Sequence, residues 1–191
     1  MSKNTHLEHL EDSILLDGEQ GATDAFMFLD ELARVFTGVQ KNNFKITTKW
    51  DGAPAVFCGI YPGTDKFFVG TKSVFNKVKK MICHSHEEID ILYDEKPDLA
   101  NKLHKCFDNL VRTENIYQGD LIGIGGDDYY QPNTIGYLFP YKIDHNIIIA
   151  PHTEYIATGD SLVDTHAIPL DHILENDLDK VLYVQCNAIA K

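Results

Sequence analysis

The stretch Thr47-Thr48-Lys49-Trp50-Asp51-Gly52-Ala53-Pro54-Ala55-Val56 decides how this chain is read. Ahead of it, Phe44, Ile46 and Thr48 alternate with polar neighbours, the period of two that marks a strand. Behind it, Ala55 to Ile60 makes a second strand-like run. Between them a lysine is followed by Asp-Gly, which is turn chemistry. Such a lysine is either a solvated strand-end cation beside an ordinary turn or an amine held in place for chemistry.

Working outward, Lys66 to Thr71 reads as a third strand, and Tyr61-Pro62-Gly63-Thr64-Asp65 as the turn of a hairpin joining it to Ala55–Ile60. A helix is predicted over Asp98 to Arg112, where Leu99, Leu103, Cys106, Phe107 and Leu110 line one side. Strands are predicted at Ile116 to Ile122, Thr134 to Ile143 and Ile147 to Tyr155, with a Gly- and Asp-rich loop at Gly123 to Asp128. A short acidic helix near Leu170 to Leu178 and a strand at Val181 to Gln185 follow.

Upstream, Leu7, Leu10 and Ile14 share a helical face. Phe28, Leu29, Leu32, Ala33 and Phe36 share another, behind a Thr23/Asp24 cap and ahead of a Gly38 stop. Both faces are expected to pack on a core. The sum is a single α+β domain over residues 1–191, a largely antiparallel sheet with flanking helices. Its parts are N-terminal helices in 1–40, a motif-bearing core in 44–155 and a C-terminal helix and strand in 156–191.

The composition narrows the function classes. A formal net charge of −12 argues against a broad nucleic-acid footprint, because phosphate binding draws on clustered Lys and Arg. The charge is uneven, however: Lys66, Lys72, Lys77, Lys79 and Lys80 form a local basic stretch, either a solvated face or one wall of a groove. No run of about 18 apolar residues occurs, so no membrane span is expected. Cys58, Cys83, Cys106 and Cys186 are scattered, which suits reduced thiols in the cytoplasm. Cys83-His84-Ser85-His86 holds three candidate zinc ligands but lacks a second ligand pair at structural-zinc spacing, so a polar loop is the simpler reading.

With these neighbours in view, Lys49-Trp50-Asp51-Gly52 resembles motif I of the covalent nucleotidyltransferases, the family of ATP-dependent DNA and RNA ligases and capping enzymes. Gly70-Thr71-Lys72-Ser73, beginning 21 residues after Lys49, is similar to motif Ia. Tyr117-Gln118-Gly119-Asp120-Leu121-Ile122-Gly123 is similar to motif III with Asp120 in place of the usual Glu, and Ile135-Gly136-Tyr137-Leu138-Phe139-Pro140-Tyr141-Lys142-Ile143 to motif IIIa.

The resemblance implies a ligase-adenylation, ATP-grasp-like core in which Lys49 attacks the α-phosphate of ATP, with Mg²⁺ bound, and passes AMP to a nucleic-acid 5′-phosphate end. It implies nucleotide contacts from Thr48, Trp50, Asp51, Gly52, Lys72, Asp120 and Lys142, and stacking on the purine by Tyr137 or Phe139. Metal ligation would fall to Asp120, with Glu154 standing in for the motif IV acid; the His152-Thr153-Glu154 string itself reads either as an ordinary surface strand or as holding a further ligand in His152.

A wider similarity, from Thr5 to about Tyr155, is to proteins of large tailed phages that share the Lys-Trp-Asp-Gly-Ala-Pro-Ala, Gln-Gly-Asp-Leu, Pro-Asn-Thr-Ile and His-Thr-x-Tyr strings. The chain departs from the ligases in lacking a Glu-Gly-Val-Val-like motif IV and a Lys-x-Lys motif V. A non-catalytic phage accessory or structural protein that keeps the fold is therefore the competing expectation.

Overall fold

The structure is a computed structural model and describes residues 9–39, 46–47, 49–172, 174, 180–184 and 187–188. The chain divides into two compact units, one built on residues 49–185 and one on residues 7–48 with 186–191. The division falls a few residues after the change of period at Phe44.

The smaller unit contains helix α1 (Leu10–Phe36) and a two-residue ladder between β1 (Ile46–Thr47) and β10 (Asn187–Ala188). Two helical segments do occur, but the break lies at Gly18, whose φ of 58° and ψ of −127° leave the helical region, and not at Thr23/Asp24. Only glycine takes that conformation cheaply. Gly38 ends the helix as expected: at φ 72° it lets its own N–H reach the Val35 carbonyl and that of Val39 reach Arg34. Of the expected apolar faces, Leu10 and Leu32 are half-buried, while Ile14, Phe28, Leu29 and Phe36 are exposed. The described part of this unit offers only a four-residue ladder besides the helix, too little to cover such a stripe.

In the larger unit, β2 (Ala55–Ile60), β3 (Phe67–Gly70), β4 (Ile116–Ile124), β7 (Ile147–Ala157), β8 (Thr165–Pro169) and β9 (Val181–Tyr183) form a six-stranded sheet. Its order is β3-β2-β4-β7-β8, antiparallel throughout, with β9 added parallel to the first part of β7. The expected hairpin is present, with Phe57 opposite Gly70 and Ile60 opposite Phe67.

Helix α3 (Pro97–Asn109) covers one face of the sheet, and Leu103 and Cys106 meet Val56, Cys58, Tyr117, Leu121, Ile147 and Ile149 there. On the other face Phe57, Phe68, Val74, Ile116 and Tyr155 form a second apolar cluster, and Ile122, Tyr130, Ile143 and Ile148 a third. The α+β, mainly antiparallel class is as expected.

Three local differences bear on the site. Helix α2 (His86–Leu92) starts inside the segment read as a polar loop, and Ser85 caps it by accepting the Glu88 N–H. The long strand expected at Thr134 to Ile143 reduces to β6 (Tyr137–Leu138), paired with β5 (Tyr129–Tyr130). Pro132 and Pro140 bracket it and cannot donate to a ladder, so the segment runs as a wall of turns. Of the acidic helix near Leu170 to Leu178, residues 173 and 175–178 lie outside the described residues, and those described are not helical. The last strand closes at Tyr183, and Gln185 lies outside the described residues.

Burial pushes the Cys58 thiol from 9.0 up to about 12. The folded chain thus keeps a proton that the unfolded chain releases, and this contribution is full below 9.0 and lost as pH rises toward about 12. Urea-unfolding series across that interval are expected to lose about 1.4 kcal/mol per pH unit from this thiol, with a shallower slope in Cys58→Ala.

Candidate functional site

One loop lies across the central strand. The Ala53 N–H donates to the Leu121 carbonyl at 2.9 Å, and the Leu121 N–H donates to the Pro54 carbonyl at 3.0 Å. Ala55 then enters the ladder opposite Asp120. Just ahead of these ties, Gly52 sits so close to β4 that a Cβ on it would stand 2.6 Å from the Leu121 oxygen and 2.9 Å from the Asp120 Cβ. Only a residue without a side chain fits there.

The far wall comes from residues 131–139. Tyr137 accepts the Asp51 N–H at 2.7 Å and donates its own hydroxyl to the Asp51 carbonyl at 3.3 Å. The Asn133 amide donates to both Asp51 carboxylate oxygens, at 3.2 and 3.1 Å. Trp50 lies against Tyr137 with ring centres 4.7 Å apart and faces Phe139 at 6.4 Å. Below the loop, Lys102 of α3 donates to the Ala53 carbonyl at 3.4 Å.

Asp120 forms the floor. Along β4, Tyr117 and Leu121 join the α3 core, while Ile116 and Ile122 join the clusters opposite, so Asp120 lies on the face away from α3. It is 7% exposed, and no described residue hydrogen-bonds its carboxylate. Nε2 of His152 stands 3.6 Å from Oδ1, too long for a hydrogen bond.

His152 lies on this face, at a bulge in β7. Thr153 pairs with Gln118 and Pro151 with Gly119, so His152 is the extra residue. Simple alternation would have put Glu154 on the Asp120 side as well. The bulge reverses the phase, and Glu154 stands opposite Tyr117 on the α3 face. There it takes a short hydrogen bond from Asn115 and faces His172 at 4.0 Å. Asp120 and Glu154 are therefore on opposite faces of the sheet and do not meet. Burial, then the Glu154 charge, raises the Tyr117 phenol above its ordinary range.

The remaining candidates are less closely gathered. Lys49 is exposed at the mouth of the loop, and Thr48 lies outside the described residues. Lys72 is exposed in the 3₁₀ turn Lys72–Phe75, which follows Gly70 at the end of the hairpin where β2 begins. No hydrogen bond or ion pair joins it to the loop among the described residues. Lys142 lies near Asp127, whose carboxyl is held below its usual range mainly by the Asp128 N–H and only slightly by this lysine. Cys83 to His86 do not converge: Cys83 is buried and pairs its backbone with Val69, His84 donates to the Phe67 carbonyl, and His86 meets His104 and Asp108.

Residues 4–189 match a family of unknown function, DUF6267. The chain belongs to that family. Every residue of the site falls within the family's matched span. No curated protein and no solved structure matches the chain.

Asn133 and Lys102 were not among the sequence candidates, and His152 entered only as a lone ligand. Asn133 lies in the Pro-Asn-Thr-Ile string, but nothing local tells that its amide reaches the Asp51 carboxylate. Lys102 is a half-buried cation next to the apolar stripe of a helix. For His152 the one signal is Pro151, a residue that interior strands accept chiefly at bulges.

Trp50 is the one tryptophan of the chain and reports on the wall directly. Tyr137→Phe is expected to lower unfolding stability by about 1 kcal/mol with Trp50 emission nearly unchanged. Tyr137→Ala should cost about 2 kcal/mol and shift the emission to the red, because stacking is lost as well. Fluorescence-detected denaturation checks both.

Proposed function

We propose that the unit built on residues 49–185 is an ATP-dependent nucleotidyltransferase of the polynucleotide-ligase type. The observation that supports this most is convergence. Trp50 to Gly52, Asp120, Tyr137 and Phe139 come from three distant stretches of chain, each like a different family motif, and they surround one loop.

In the first step the free amine of Lys49 attacks the α-phosphorus of ATP. A P–N bond forms, the bond to the bridging α–β oxygen breaks, pyrophosphate leaves, and the ammonium proton is lost to solvent. In the second step a 5′-phosphate oxygen of a nucleic-acid end attacks the same phosphorus. The P–N bond breaks, a 5′–5′ diphosphate linkage forms, and the lysine is regenerated.

Gly52 keeps the loop backbone low over Asp120, and Tyr137 and Asn133 fix Asp51. Tyr137 or Phe139 offers a ring to the purine, and Lys72, at the same end of the hairpin, offers a cation to phosphate or ribose. The Asp120 carboxylate is buried without a protein donor, which fits a divalent cation such as Mg²⁺. When bound there, the ion supplies charge neutralisation for the phosphates.

One observation favours the competing reading, a non-catalytic phage accessory protein. Tyr137 is already packed against Trp50 and tied to the Asp51 backbone, so the ring offered to the purine has an internal partner.

Intact-protein mass spectrometry after incubation with Mg²⁺ and each nucleoside triphosphate separates the two. The expected result is an added AMP on the wild type and none on Lys49→Ala. No adduct with any triphosphate, or one that survives the substitution, would sink the lysyl-nucleotide reading.

A further inference from the structure

We propose that Asp120 and His152 together form a site for a divalent transition cation of the Mn²⁺ or Zn²⁺ class, beneath the Trp50–Pro54 loop. The inference rests on the proposed cation at Asp120 and not on any chemistry at Lys49.

Three observations carry it. The Asp120 side chain is nine-tenths buried, and no described residue donates a hydrogen bond to it. The Nε2 of His152 is also buried and has no hydrogen-bond partner. His152 lies at the β7 bulge with this nitrogen on the Asp120 face, 3.6 Å from Oδ1.

A buried ring nitrogen left unpaired costs free energy, as does a largely buried carboxylate without a donor, and one ion bound by both removes the cost. Ligands about 2.1 Å from a tetrahedral ion are about 3.4 Å apart, close to the separation here and longer than a hydrogen bond allows. The His152 Nδ1 meets the Thr153 hydroxyl at 2.7 Å. That contact restrains the ring with Nε2 directed at the carboxylate, the outer support that metal-binding histidines commonly have.

The donor pair sets the ion class. One imidazole nitrogen with one carboxylate suits Mn²⁺ or Zn²⁺, while Mg²⁺ prefers oxygen alone. No third His, Cys, Asp or Glu completes a cluster among the described residues, so the other positions are left to water or to oxygens of a bound phosphate.

The test uses the full chain and the metal alone. Titration with Mn²⁺, followed by its electron paramagnetic resonance, is expected to show saturable binding to the wild type, and the spin-echo modulation of the bound ion should carry nitrogen coupling from one imidazole. His152→Gln and Asp120→Asn should each weaken Mn²⁺ on the order of tenfold or more, with Mg²⁺ little affected by His152→Gln. Lys49→Ala should bind Mn²⁺ as the wild type does. Because the modulation is read on unsubstituted protein, it decides the matter even where a variant fails to fold. Absence of saturable binding, bound Mn²⁺ without nitrogen coupling, or unchanged affinity in a folded His152→Gln would overturn the assignment. A bound ion together with no lysyl-nucleotide would leave this site standing and remove only the proposed transferase chemistry.

Discussion

Strand β4 is paired along both edges, with β2 through Ala55 to Cys58 and with β7 along nearly its whole length. Its alternation sorts everything around it. Tyr117 and Leu121 anchor the α3 core, while Asp120 and Ile122 face the loop and the wall. The site depends on that pleat because the loop is tied to the β4 backbone by two hydrogen bonds and touches it through a glycine. A slip of one residue would send Asp120 into the apolar core and bring Leu121 to the floor of the site.

The two sides of the site are held by different forces. The floor is part of a sheet ladder and shares the cooperativity of the whole core. The wall is joined to the loop through Tyr137, Asn133 and the rings of Trp50 and Phe139, contacts of about 1 kcal/mol each. Between them, the Asp51 carboxylate is satisfied by a neutral amide and not by a cation, so the loop adds its negative charge to an already acidic chain. Nearby positive charge comes from Lys49 at the mouth and Lys102 below.

Regular elements were legible wherever the local pattern matched the tertiary outcome. The hairpin of β2 and β3, helix α3 and strands β4 and β7 stand close to the ranges that periodicity gives, because each buries a face of its own period. Helix α2 escaped because Cys83 to His86 looks polar, and a Ser cap followed by a single apolar turn is a weak signal. The strand expected at Thr134 to Ile143 overran because the alternation runs on through Pro140, which cannot donate to a ladder. For the site, Trp50 to Gly52, Asp120, Tyr137 and Phe139 were legible together. Pairing Asp120 with Glu154 was not sustained, since it assumes an unbroken period of two in β7. A bulge adds a residue without altering composition, and here it leaves His152 on the site face and turns Glu154 to the other.

The wall has a consequence for access. Of residues 131–146, only Tyr137 and Leu138 belong to a strand, and Ile135, Leu138 and Tyr141 remain exposed. Such a segment has little ladder to lose, so it can part from the loop as a local event costing far less than global unfolding. A molecule as large as a nucleotide could then enter past Trp50 while the six-stranded sheet stays intact. The entrance of the site is in this sense a door hung on side chains, in a frame made of backbone.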